Sequence, residues 1–288
     1  MKFETQGSRI GLYLVLTLAL SCIFYALILT SGHVGGGRGL YVTGLMWCPA
    51  ISALLTCRIA GLDYSILGWN WGETRWELTA FLVPLGYATV AYLIIWTTGL
   101  GVFGNKEFEA GLAKAFGWAS APSFVVIAVY FVLNGIFGMA GSVSTALGEE
   151  LGWRGFLAPH LDRKFGFTGG VLVTGAIWTL WHTPVLLFAD YNMGTQWWFS
   201  LPCFALLVMS ISFPLAWLRL RSRSVWPAAI LHASHNLFIQ RFYTPLTSPS
   251  GKITPYAIDE FGFVLPLVAV VVAIWFWRHR RSVTSIPA

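Results

Sequence analysis

Eight apolar runs dominate the chain, near residues 10–30, 40–60, 77–103, 120–147, 169–189, 197–219, 225–242 and 260–277. Each is about 18 residues or longer, enough for a helix to cross a hydrocarbon core roughly 30 Å thick. The connections are short and leave no room for a soluble domain, and no repeat or low-complexity tract breaks the series. The pattern predicts an all-α integral membrane protein, a polytopic bundle of about eight transmembrane helices forming a single domain over residues 1–288. Lys2 and Arg9 precede the first run as they would in a secretory signal. Its apolar core of about 20 residues exceeds the usual signal length of roughly 7–15, so a retained first helix is expected.

Composition strengthens this picture. Only 10% of the 288 residues are charged and 56% are hydrophobic, whereas a soluble domain carries roughly 25% charged residues to cover its surface. The exterior therefore faces lipid. The 15 Trp and 10 Tyr suit the two membrane interfaces. A net charge of +6 brings nucleic acid to mind as a partner, but the basic residues are scattered among short loops and form no basic domain. Arg38, Lys106, Lys114, Arg241 and Lys252 fall on one side of the predicted membrane, and the other 13 of the 18 Lys and Arg on the opposite side. The positive-inside rule then puts both termini in the cytoplasm. Cys22, Cys48, Cys57 and Cys203 lie in or beside apolar runs without metal or disulfide spacing, and read as small buried apolar residues.

Ionisable side chains within a membrane are costly, so each is a functional candidate. They fall in three places. Glu149, Glu150 and Arg154 close the fourth run. Glu150 and Arg154 are four apart on one helix face, acid first, the better order for an ion pair. Glu149 points about 100° away, which leaves one carboxylate free to act as a general base. Trp178 and His182 share a face of the fifth run, and Pro184 follows and should kink the helix beside the imidazole. His232 and Asn236 share a face of the seventh run, with His235 displaced sideways, and offer donors to a developing oxyanion. Singly these read as a solvated helix end, a hydrogen-bonded core histidine and polar contacts between helices. Together they form the inventory that amide hydrolysis needs: a base in Glu149, a water-orienting His182, and oxyanion donors in His232 and Asn236.

At these residues the chain resembles the CPBP intramembrane proteases, which include the CAAX prenyl endopeptidase type II and bacteriocin-immunity and processing proteins. The family pattern is EExxxR, FxxxH and HxxxN or HxxxB on separate helices. Glu149-Glu150…Arg154 matches the first, Trp178…His182 the second with Trp for Phe, and His232…Asn236 the third. The resemblance covers a core of about 120–242 and implies peptide-bond cleavage at a cavity reached from the cytoplasmic side. It implies that Glu149, His182 and His232 are essential, that Asn236 is the oxyanion partner, and that Glu150, Arg154 and Trp178 support them. The cofactor is either a divalent metal such as zinc, held by Glu149, His182 and His232, or none. The expected partners are the lipid bilayer and a membrane-associated peptide or protein substrate. Two other classes compete, a non-catalytic scaffold or immunity protein and a proton-coupled transporter. The latter predicts discontinuous helices in repeated halves, and the sequence shows no repeat.

Overall fold

The computed structural model describes residues 5–286. Lys2, counted above among the basic residues, lies outside them. Thr5 opens the first helix, α1 (Gln6–Ser31), by accepting the Ser8 amide, and Gly32 in the left-handed region (φ 72°) closes it. The chain then runs back through α2 (Leu40–Ala60) and forward through α3 (Thr74–Thr97). A short amphipathic helix, α4 (Lys106–Phe116), is capped by the Asn105 side chain. Next come α5 (Ser123–Leu133), α6 (Met139–Glu150) and α7 (Ala158–Phe188). Single π turns at Asn134–Gly138 and Leu151–Leu157 join these three. Within α7 the chain doubles back at Gly166, whose φ of 67° and ψ of 174° lie outside the helical region. A Cβ built on Gly170 would sit 2.8 Å from the Asp162 nitrogen, whereas a straight helix would separate these positions by about 12 Å. The remaining elements are α8 (Trp197–Ser222), α9 (Trp226–Phe238), the short α10 (Thr244–Leu246) and α11 (Thr254–Ala257), and α12 (Val264–Arg278).

Every predicted run lies on a helix. Among the described residues five helical stretches are long and apolar enough to cross a membrane, and one of them, Ser123–Phe188, holds two of the predicted runs on either side of Gly166. The protein is therefore an all-α, multi-pass membrane protein. Three details differ from the sequence reading. The connection after the third run is not a short link but contains α4, whose Glu109 is buried and paired with Lys106 at 3.0 Å. The third helix stops at Thr97, and Val102–Phe103 pairs antiparallel with Thr247–Ser248 instead of prolonging it. Cys22 is exposed on α1 rather than buried, because its position faces outward from the bundle.

Two devices bring the helices around the site close together. Gly148 and Gly152 face α2, where added Cβ atoms would lie 2.7 Å from the Met46 carbonyl oxygen and 2.4 Å from Pro49 Cβ. Small residues let helix backbones approach where no hydrophobic effect drives them together. The second device is Arg219, which is buried and donates to the carbonyls of Arg154 (3.0 Å) and Ile66 (2.9 Å). Gly68, at φ 80°, gives its guanidinium room, since a Cβ there would come within 2.8 Å of Cζ. Arg154 and Arg219 both entered the basic count as loop residues. The structure removes them from it, because each is buried inside the bundle, where Arg154 donates to Glu150 and Ser212 and Arg219 to two backbone carbonyls.

Gly152→Leu is expected to force the π turn after α6 away from α2 and cost about 1–3 kcal/mol by overpacking. A lowered thermal midpoint in detergent, with Gly141→Leu as a control at an open position, checks this.

Candidate active site

The side chains singled out in the sequence meet at one cavity of about 380 Å³. Glu149 from α6, Trp178 and His182 from α7, and His232 and Asn236 from α9 all line it. Glu150 and Arg154 do not line it but lie directly beneath. Glu150 Oε1 accepts from Arg154 Nη1 at 2.9 Å and pairs with His232 Nδ1 at 3.0 Å. Arg154 also donates to Ser212 Oγ at 3.0 Å. Its guanidinium lies 4.2 Å from the centroid of the Trp178 ring. The helical i, i+4 pairing of Glu150 with Arg154 thus survives inside a π turn, and Glu149 turns the other way.

Each of these atoms has a defined role in the hydrogen-bond pattern. Glu149 Oε2 accepts from Trp178 Nε1 at 2.7 Å and, at 3.4 Å, from Trp153 Nε1. His182 Nδ1 lies 2.9 Å from the Trp178 carbonyl oxygen. A carbonyl only accepts, so this ring nitrogen carries the proton and the neutral ring keeps a lone pair on Nε2. The same reasoning protonates His232 Nδ1 against the Glu150 carboxylate. In both histidines one nitrogen is fixed by the protein and Nε2 stays available. Trp178 is more than an aromatic stand-in for Phe at its motif position, because only an indole N–H can hold Glu149 in this way.

The opening corrects one expectation. Glu149 does not end a span at the face carrying the N-terminus, because the rod runs on through the π turn into α7. The cavity is lined instead by Val34 and Gly39 after α1, Tyr191 after α7, exposed Gln240 and Arg241 after α9, and Glu260 before α12. These mark the end of the bundle opposite Thr5. On the Thr5 side of the site, Leu151, Phe156, Leu157, Leu215 and Leu218 are fully buried and close it off.

With this geometry, two likenesses to known proteins become informative. Residues 120–238 match the family model described as type II CAAX prenyl endopeptidase Rce1-like. Over 94 residues the chain is 31% identical to the CAAX prenyl protease 2 of Methanococcus maripaludis, a stretch covering 31% of this chain and 34% of that relative. The matched segment 120–238 is similar to the Rce1-like family. It contains all three motifs, from Glu149 to Asn236, while the match spans about a third of the curated relative's length.

Outside the motifs that suggested an Rce1-like protein, the cavity has a second polar group. Buried Glu260 accepts from Gln240 Nε2 (3.0 Å) and Tyr191 Oη (3.0 Å) and pairs with His235 Nε2 (2.9 Å). Tyr87 Oη completes the set at His235 Nδ1. Tyr191 also stacks on His182, with ring centroids 6.0 Å apart. Glu260 heads the eighth apolar run beside Asp259, and that acidic pair was the sequence signal for it. As for a metal, no three His, Cys, Asp or Glu side chains among the described residues gather as an ion site. Both histidines hold Nδ1 in a hydrogen bond and keep Nε2 free, as ligating histidines do, but Glu149, His182 and His232 are not gathered as a three-ligand set in this arrangement.

Removing one partner from a buried ion pair leaves an uncompensated charge, so Arg154→Met is expected to cost about 3–5 kcal/mol. The double variant Glu150→Gln/Arg154→Met should recover part of that loss. Thermal denaturation in detergent of the unsubstituted protein, Glu150→Gln, Arg154→Met and the double variant closes the cycle.

Proposed function

We propose that the chain is an intramembrane endopeptidase that hydrolyses a peptide bond of a membrane-associated protein or peptide. One observation carries this reading. A single cavity presents, from three of the helices that line it, a carboxylate, two imidazoles with one free nitrogen each, and an amide. The likeness of the segment 120–238 to a peptidase family supports it.

In the reaction we assign, a water sits between Glu149 and His182. His182 Nε2 accepts one of its hydrogens and orients it, and Glu149 removes the other as the oxygen attacks the scissile carbonyl. The carbonyl π bond opens and its electrons move to the oxygen. That oxyanion is met by Asn236, whose side chain has no protein hydrogen bond among the described residues, and by His232. With the Glu150 carboxylate as counter-ion, the doubly protonated His232 ring presents Nε2–H to the oxyanion. When the tetrahedral centre collapses, the C–N bond breaks and Glu149 returns its proton to the leaving amine. Arg154 pairs with Glu150 and holds it against His232, and Trp178 holds Glu149 in place.

Purified protein is expected to cleave a membrane-adjacent peptide. Glu149→Gln and His232→Ala should each lower kcat by about 10²–10⁴-fold without lowering the yield of folded protein. Cleavage at the unsubstituted rate in both variants would show that the chemistry lies elsewhere. Trp178→Phe keeps the ring but loses a hydrogen bond to a charged group worth about 1.5–3 kcal/mol. It should lower kcat by roughly tenfold or more at an unchanged KM, read from initial rates.

A further inference from the structure

The direction of each helix ties the cavity to one end of the bundle. α1, α3, the part of α7 after Gly166, and α9 run toward the cavity mouth, and α2, α5–α6, α8 and α12 run away from it. Among the described residues, the basic side chains that are not buried favour the far end, where Arg9, Arg163 and Arg280 are half-buried. Arg58, Arg75, Lys164, Arg221, Arg223 and the C-terminal Arg278 and Arg281 are exposed there. At the cavity end Arg38, Lys106, Lys114, Arg241 and Lys252 are spread over three connections between membrane helices. The bias survives the removal of buried Arg154 and Arg219 from the count. Short loops rich in Lys and Arg stay in the cytoplasm, whereas Asp and Glu carry little topological weight. The buried layer between the site and the basic end offers a peptide no path from that end, while Gln240 and Arg241 at the mouth are exposed.

We infer that the cavity opens on the extracytoplasmic face, and that its substrate is a peptide segment presented from that side of the membrane. The substrate half of this inference rests on the protease reading above; the orientation half does not. It reverses the access side that the family resemblance implies. A cytoplasmic tail would have to cross the bundle to reach Glu149, whereas a chain already translocated would meet it directly.

Two single-cysteine variants away from the cavity, Lys252→Cys on its side and Arg281→Cys at the basic end, test the orientation. Intact cells are treated with a membrane-impermeant maleimide, and the unsubstituted chain gives the background from Cys22. Labelling of Lys252→Cys in intact cells, with Arg281→Cys labelled only after lysis, is expected. The reverse pattern overturns the inference. A membrane-impermeant fluorogenic peptide is then added to sealed vesicles of either orientation. Cleavage by right-side-out vesicles is expected, and cleavage confined to inside-out vesicles overturns the substrate half. Should the labelling follow expectation while neither vesicle preparation cleaves, the protease reading and the substrate half fall and the orientation stands.

Discussion

A carboxylate with no exposed surface, inside a membrane protein, sets the terms for everything around it. Glu150 and Arg154 are both fully buried, and such a pair is tolerated only if geometry and further hydrogen bonds offset the loss of water. The neighbouring features follow from that demand. Arg154 reaches Ser212 on α8 and lies over Trp178 on α7, so three helices are fixed at one level. Its carbonyl, within the π turn, is taken by Arg219, which also fastens the Ile66 segment. On the other side His232 is held by Glu150, and Trp178 reaches on to Glu149. A structural ion pair and the cavity floor are therefore one hydrogen-bonded object. Disturbing it from below should be felt above.

The motif residues were legible because helix periodicity is local. Four-residue spacing puts Glu150 with Arg154, Trp178 with His182 and His232 with Asn236, and the bundle needs only to bring three stripes together. Other features depend on contacts that periodicity does not encode. Gly148 and Gly152 look like any helix glycines until Met46 and Pro49 lie against them. The π turn at Leu151–Leu157 leaves no mark in an apolar pattern, so the sequence reads as though the rod ends at Glu150. Arg219 was read as a loop charge because its partners are backbone carbonyls, which no side-chain pattern reveals. Glu260 was missed for a similar reason, since its three partners come from two distant segments.

Around the mouth, regular helix gives way to turns, and the backbone there finds partners within the protein, as irregular structure near a membrane requires. Asp190 accepts the Val34 amide at 2.6 Å and pairs with His33 at 3.1 Å, joining the ends of α1 and α7. Partial burial works against its charge, but the Val34 amide and His33 outweigh this and hold its carboxyl below the usual carboxylate range. Asp259 accepts from Thr244 at 2.8 Å, and Ser248 donates to the Gly104 carbonyl at 3.0 Å. These ties fix the wall on which Tyr191 and Glu260 stand.

The dimensions of the cavity bear on the shape of whatever enters it. An α-helix with its side chains is about 10–12 Å across, so 380 Å³ holds less than one turn of it. A helix also commits its carbonyls to its own backbone, leaving none free for attack. On the peptidase reading proposed above, a membrane-spanning segment would have to fray before it could be cut. Its susceptibility would be set by how readily it unwinds, through a glycine, a proline or a terminus, as much as by the identity of the residues flanking the bond.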